Sequence, residues 1–248
     1  MTTAELSGDE AEGGDELSAR TNPDNPDPRV ACAILLDTSS SMSGEPIRLL
    51  NEGFALFCDE IKKDALAKKR TEVVVITFGG VPRVEIPFTE GRDLEARQFI
   101  DGGGTPLGGA VNLALDELEA QKKAYKLNGL EYLRPWLFVL SDGQPTDGEV
   151  FDAAVGRIGA AVDAKGVSSF AIGIGEGADM TQLKKLSPGR DAIKLQGLSF
   201  REFFLWLSAS MSVVSNSVNA GTTVQSGGQL EPEAEQRALP SPEGWAQW

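Results

Sequence analysis

Apolar residues along this chain fall into two patterns that alternate from one end of the middle region to the other. In the first, short unbroken runs such as "VACAILL" (30–36), "TEVVVITF" (71–78) and "PWLFVL" (135–140) read as strands covered on both faces. "VSSFAIGIG" (167–175) and "DAIKL" (191–195) follow as shorter strands. In the second, apolar residues recur every three or four positions. Ile47, Leu50, Phe54, Phe57 and Ile61 form one helical stripe, and Leu107, Val111, Leu115 and Leu118 mark a helix opening at Pro106, a residue suited to a first helical turn. Thr146 and Glu149 have capping-box spacing and open a further helix with Val150, Ala154, Ile158 and Ala161 turned inward. "ADMTQLKKL" is a short helix. Ser199 and Glu202 repeat the capping-box spacing, with Leu198 and Phe203 as a staple, before "FREFFLWLSASMSVV", a helix expected to pack on the sheet. "GGVPRVEIPF" reads as a hairpin partner of the second strand, and Pro82 and Pro87, which cannot donate to a ladder, confine it to the sheet edge.

Strands alternating with helices imply parallel pairing through right-handed crossovers. The expected fold is a single doubly wound α/β domain over residues 30–218. Its sheet is mostly parallel and six-stranded with an antiparallel edge strand, and helices cover both faces. Residues 1–29, acidic and ending in "NPDNPDPR", are expected to be a disordered N-terminal tail, and 219–248, with many breakers and no apolar face, a flexible C-terminal tail. Trp245 and Trp248 at the tip of that second tail would be costly in water unless they dock somewhere. No internal repeat is visible.

Charge and composition narrow the chemistry. The formal net charge is −14, but the first 29 residues hold eight acids against two bases and the last 30 hold four against one, so the middle carries only about −5. An acidic surface excludes nucleic acid and anionic membranes as main partners. No apolar run approaches the ~20 residues of a membrane span, and the N-terminus lacks the blocks of a secretory signal, so a cytoplasmic location is expected. The chain has no histidine, which removes Ser-His and Cys-His catalysis and the usual zinc sites. Cys32 and Cys58 read as buried free thiols.

Against that background three polar segments at strand or helix ends stand out: "DTSSS" (37–41), "GGGTPLGG" (102–109) and "LSDGQPTDG" (140–148). Each alone reads as a turn or cap. If the first and fourth strands are parallel neighbours, however, Asp37 and Asp142 emerge side by side at the sheet edge where α/β folds bind ligands. Thr105, held out of helical angles by Pro106, brings a hydroxyl to the same place. Alternate residues of a tight turn can point the same way, so Ser39 and Ser41 pair better than Ser40. Such an all-oxygen set suits a hard cation, and neutral hydroxyls leave that cation enough charge to seek an outside carboxylate.

Asp37, Ser39 and Ser41 in "DTSSS", Thr105 in "GGGTPLG" and Asp142 in "LSDG" resemble, in order, the metal-ion-dependent adhesion site (MIDAS) of von Willebrand factor A (VWA) domains, a Rossmann-like fold. In detail "DTSSSMSGEPI", "VVITFGG", "GGGTPLGGAV" and "SDGQPTD" look like the bacterial tellurium-resistance TerY-like group. The resemblance implies a non-enzymatic interaction module holding Mg²⁺ or Mn²⁺. Ser39 and Ser41 would ligate directly, Asp37 and Asp142 largely through water, and Thr105 by either route. An acidic residue of a partner protein would complete the coordination. The TerY-like likeness further implies a stress-response setting with a PP2C-type phosphatase and a Ser/Thr kinase as partners.

Competing readings are few. "GGGTPLGG" lacks the lysine of a phosphate-binding loop, and Gly173, Gly175 and Gly177 lack dinucleotide spacing. A phosphohydrolase would use Asp37 as nucleophile with Asp142 on the metal, but position 39, where haloacid-dehalogenase-type hydrolases place a second aspartate, is Ser39. A scaffold working through its two tails is the third reading.

Overall fold

A computed structural model describes residues 20–217 and the backbone of Ala246–Gln247. The strands are β1 (Val30–Leu36), β2 (Thr71–Gly79), β3 (Val81–Glu90), β4 (Trp136–Ser141), β5 (Ser168–Gly173), β6 (Ile193–Leu195) and β7 (Ala246–Gln247). The helices are α1 (Glu45–Lys63), α2 (Ala67–Arg70), α3 (Leu107–Leu127), α4 (Gly148–Asp163), α5 (Met180–Lys185) and α6 (Phe200–Ser217). The sheet order is β3-β2-β1-β4-β5-β6-β7, so strand order reverses between β1 and β4. β1 pairs in parallel with both β2 and β4, whereas β3 runs antiparallel at the edge. The mostly parallel six-stranded sheet with one antiparallel edge strand is the fold read from the pattern, and β7 adds a two-residue pairing on β6.

Every residue of β1 is buried because alternate side chains serve different cores. Cys32, Ile34 and Leu36 join a cluster with α1 and α6, while Ala31, Ala33 and Leu35 join one with α3 and α4. The first cluster is aromatic: Phe138 and Phe170 stack at 4.7 Å, and Phe203 and Trp206 of α6 meet Phe138 edge-on. The last helix is thus a core element, as its apolar pattern required. Both cysteines are buried free thiols, and burial pushes the Cys58 thiol up to about 12.

Three sequence expectations are corrected. Residues 20–29, read as part of a disordered tail over 1–29, are fastened to the domain. Arg29 is fully buried and donates to Glu72 at 2.9 Å and to the Asn25 carbonyl at 2.7 Å. Thr21 donates to Glu72 and Asn25 to the Lys69 carbonyl, both at 2.7 Å. Its three prolines and two acids read as breakers and repelling charges, but its arginine, asparagine and threonine donors meet acceptors on the domain and that decides its fate. Residues 1–19 lie outside the described residues. At the other end, Ala246–Gln247 of the expected flexible tail over 219–248 pair with β6, which has no other strand on that side among the described residues. Trp245 and Trp248 lie outside the described residues.

The third correction concerns α4. Val150 is 45% exposed, and Phe151, at 2%, points inward with Ala154 and Ile158. The capping box does not form, because the Thr146 hydroxyl accepts from the Thr105 amide at 3.0 Å instead. Ser199 likewise donates to the Gln196 carbonyl at 2.7 Å. Among the described residues no helix is long and apolar enough to cross a membrane.

Candidate functional site

The site lies where strand order reverses, at the carboxyl ends of β1 and β4. Parallel pairing continues one residue beyond β1, with the Asp37 amide donating to the Leu140 carbonyl at 3.0 Å. The Asp37 carboxylate is held on both oxygens: Oδ1 accepts from the Ser39 amide at 2.9 Å and Oδ2 from the Ser141 hydroxyl at 2.6 Å. Ser39 is extended and Ser40–Met42 form a single 3₁₀ turn, anchored by buried Met42. This geometry turns the Ser39 and Ser41 hydroxyls toward each other, 2.9 Å apart, while Ser40 points elsewhere. The pairing expected from alternation in a tight turn is therefore present.

The second segment is sewn to the first. Ser40 donates its amide (3.0 Å) and its hydroxyl (3.1 Å) to the Gly103 carbonyl, and the Gly102 amide donates to the Thr38 carbonyl at 2.8 Å. Ser43 hydrogen-bonds Asp101. Ser40 and Ser43, which the metal-site reading leaves unused, are thus the stitches between loops. Gly79 allows the approach, since a Cβ there would lie 2.3 Å from the Thr38 carbonyl oxygen and 2.6 Å from that of Gly102. Behind these loops Asn51 of α1 clamps Phe99, donating to its carbonyl at 3.0 Å and accepting from its amide at 2.8 Å. Sequence reasoning missed Asn51, whose polar side chain interrupting an apolar stripe was the available signal.

The third segment closes the set. Thr105, only 6% exposed, donates its amide to Thr146 and accepts from the Thr146 amide at 2.9 Å. Asp147 caps the start of α3, accepting from the Gly108 and Gly109 amides at 3.2 and 2.8 Å, which ties the third loop to the helix behind the second. Half-buried Asp142 accepts from the Gln144 amide at 3.1 Å, and its carbonyl accepts from the Asp179 amide at 2.7 Å. Gly143 beside it has φ +74 and faces the Asp179 carbonyl and Leu183 too closely for any side chain. Hydrogen bonds thus bring together the loops bearing all five predicted residues, Asp37, Ser39, Ser41, Thr105 and Asp142.

Asp37 carries the main electrostatic feature. Burial pushes its carboxyl above the ordinary carboxylate range, the Ser141 and Ser39 hydrogen bonds pull it back, and the Asp142 charge pushes it up again. Among the described residues no lysine or arginine pairs with Asp37 or Asp142. Nor does any group of three or more acidic or thiol side chains gather for a metal, so the donor set is two carboxylates among hydroxyls. Beside it opens a polar cleft of ≈ 470 Å³ lined by Thr38, Thr77, Arg83, Glu85, Phe99 and Asp101. Val81 (67%) and Ile100 (85%), among the most exposed large apolar residues described, belong to the β2–β3 hairpin and the 91–104 segment that border it.

No curated protein sequence matches the chain. Among solved structures, the pilus adhesin SpaC from Lactobacillus rhamnosus GG in its open conformation superposes with TM-score 0.61 at 13% identity, over 75% of this chain and 30% of that one. A von Willebrand factor type A protein from Catenulispora acidiphila gives 0.53 at 16% identity, over 75% and 43%. Proximal thread matrix protein 1 from the mussel byssus gives 0.50 at 15%, over 75% and 48%. The match spans less than half of each of these proteins, and at such identities the likeness is one of fold. The family model for the von Willebrand factor type A domain matches residues 32–201, from within β1 to the first turn of α6 and so across all three loops of the site. The chain belongs to the von Willebrand factor type A domain family.

Proposed function

We propose that this VWA domain binds a divalent cation, Mg²⁺ or Mn²⁺, at Asp37, Ser39, Ser41, Thr105 and Asp142, and uses it to capture an acidic residue of a partner protein. The observation that carries the reading is Asp37: a fully buried carboxylate whose donors are one amide and one hydroxyl, with a second carboxylate near enough to repel it. A buried charge in a neutral setting is costly unless a cation offsets it. The donor set fits a hard cation, being oxygen throughout, and the 2.9 Å between the Ser39 and Ser41 hydroxyls lets both face one ion. When bound, the ion supplies a positive centre for an incoming carboxylate.

The chain's own residues prepare that event. Ser39 and Ser41 present neutral oxygens, so two carboxylates, Asp37 and Asp142, carry all the negative charge of the set. Ser141 and the Ser39 amide keep Asp37 in place, and the stitches through Gly103 and Thr146 hold the loop of Thr105 to its two neighbours. The neighbouring cleft, with Arg83, Glu85 and Asp101, supplies contacts that discriminate among carboxylate-bearing surfaces. We read the domain as non-enzymatic. Asp37 is fully buried with both oxygens occupied, which is the wrong presentation for a nucleophile. The TerY-like motifs support the finer reading, a cytoplasmic stress-response module partnered by a PP2C-type phosphatase and a Ser/Thr kinase.

The test is calorimetric titration of the full chain with Mn²⁺ and Mg²⁺, beside Ser39→Ala and Ser41→Ala. Saturable one-to-one binding that falls at least tenfold in each variant is expected. Equal heats from wild type and both variants would overturn the metal assignment. Capture of a protein released by chelator, and lost when its contacting acid is replaced by the amide, tests the second half.

A further inference from the structure

We propose that the cleft beside the cation site selects a base in the partner, so that the captured segment carries a lysine or arginine two positions from its metal-binding acid. This inference rests on the cation reading and specifies the partner's chemistry. Among the described residues the cleft is lined by one base, Arg83, and two acids, Glu85 and Asp101. Arg83 and Glu85 pair with each other at 3.5 Å, and Glu85 also accepts from the Thr77 hydroxyl at 3.2 Å. Half-buried Asp101 accepts from the Ser43 hydroxyl, and no lysine or arginine among the described residues pairs with it. The cleft therefore holds one unmatched negative charge next to a site that takes an acid. A second acid in the partner is repelled at Asp101, whereas a base there gives complementarity at both points.

The spacing follows from the chain. Ser43 lies two residues beyond Ser41, a span of at most about 7 Å, and its hydroxyl holds Asp101. In an extended segment, side chains two positions apart share a face and repeat every ~6.6–6.8 Å. An acid at the cation and a base at Asp101 thus belong to one face of one extended segment. The wall that receives the base is formed in advance. Phe99 is clamped by Asn51 and meets Phe54 edge-on at 5.2 Å, while the Gly102 and Gly80 amides donate to the Thr38 and Gly104 carbonyls at 2.8 and 2.9 Å. Ile100, between Phe99 and Asp101 in the chain, is 85% exposed and offers apolar surface to the methylene stem of the incoming base.

Ligand-observed NMR on the full chain with Mg²⁺ tests this with two capped peptides of equal composition and charge at millimolar concentration. In Gly-Lys-Leu-Asp-Leu-Lys-Gly both bases stand two positions from the acid; in Lys-Gly-Leu-Asp-Leu-Gly-Lys they stand three away, on the opposite face of an extended segment. The first peptide should bind at least threefold more tightly, and Asp101→Asn should remove the difference. Equal affinities in wild type, a difference that survives in Asp101→Asn, or no binding of either peptide overturns the inference. Mg²⁺-dependent self-association that is lost in Asp101→Asn would make a second copy the occupant, and overturns it likewise. Calorimetric cation titration of the same samples separates the two claims. Absent cation binding sinks the metal reading and this inference with it, whereas cation binding without a peptide preference sinks only the selected base.

Discussion

Each end of the sheet buries a carboxylate, and the two are treated in opposite ways. At the amino ends of the strands Glu72, 2% exposed, is saturated. The Arg29 guanidinium and Thr21 hydroxyl donate to one oxygen, and Gln121 and the Tyr125 hydroxyl to the other. At the carboxyl ends Asp37 has one neutral donor per oxygen and a neighbouring acid. Inside a protein an ion with a matched partner and satisfied lone pairs is a fastening, and one without is a demand. The first end therefore holds the N-terminal segment to the domain, and the second is where we propose that a cation binds. The same contrast predicts which end tolerates mutation.

The largest effect is expected at the saturated end. Arg29→Met removes the counter-charge and strands Glu72, and should cost about 3–5 kcal/mol in urea unfolding; a loss below about 1 kcal/mol would mean that the network is hydrated and the comparison void. Asp37→Asn should do the opposite in metal-free protein, leaving the unfolding midpoint unchanged or higher. It should also abolish the stabilisation expected of Mn²⁺ in the wild type, about 2.7 kcal/mol at a hundredfold excess over Kd. A lowered metal-free midpoint would show that the ionised Asp37 is content as it stands. Gly79→Ala forces the Thr38 and Gly102 carbonyls apart, which should cost about 1–3 kcal/mol and weaken cation binding together. Unaltered calorimetry in that variant would separate loop packing from the site. The smallest effect sharpens the assignment within one turn: Ser40→Ala removes a stitch to Gly103, worth about 0.5–1.5 kcal/mol, and should leave cation affinity within about twofold while Ser39→Ala lowers it. Reversed behaviour of the two serines would reassign the direct ligands.

Much of this was legible along the chain. The unbroken apolar runs required strands buried on both faces, and Pro82 and Pro87 placed β3 at the edge, where it lies. The loops carrying the five candidate residues could be picked out because three polar segments, each a turn or cap by itself, fall at strand or helix ends of one alternating pattern. What was illegible involved competition for partners. Thr146 had the spacing to cap α4, yet the Thr105 amide from another loop takes its hydroxyl, and Asp147 caps α3 in place of its own helix. Asn51 went unread because its partner, the Phe99 backbone, lies 48 positions away and is brought to it only by folding.

By itself the sequence determined periodicity and inventory: which stretches bury one face or two, which positions cannot donate, and which oxygens are present in a chain without histidine. Only the tertiary structure decided which of those oxygens meet, because hydrogen-bond partners far apart in the chain are chosen by sheet order rather than spacing. It alone placed Arg29 against Glu72, Ser40 on Gly103 and Ala246 beside Leu195. It also left Asp37 buried with its charge unmatched, a property of its surroundings that no reading of the residue alone contains.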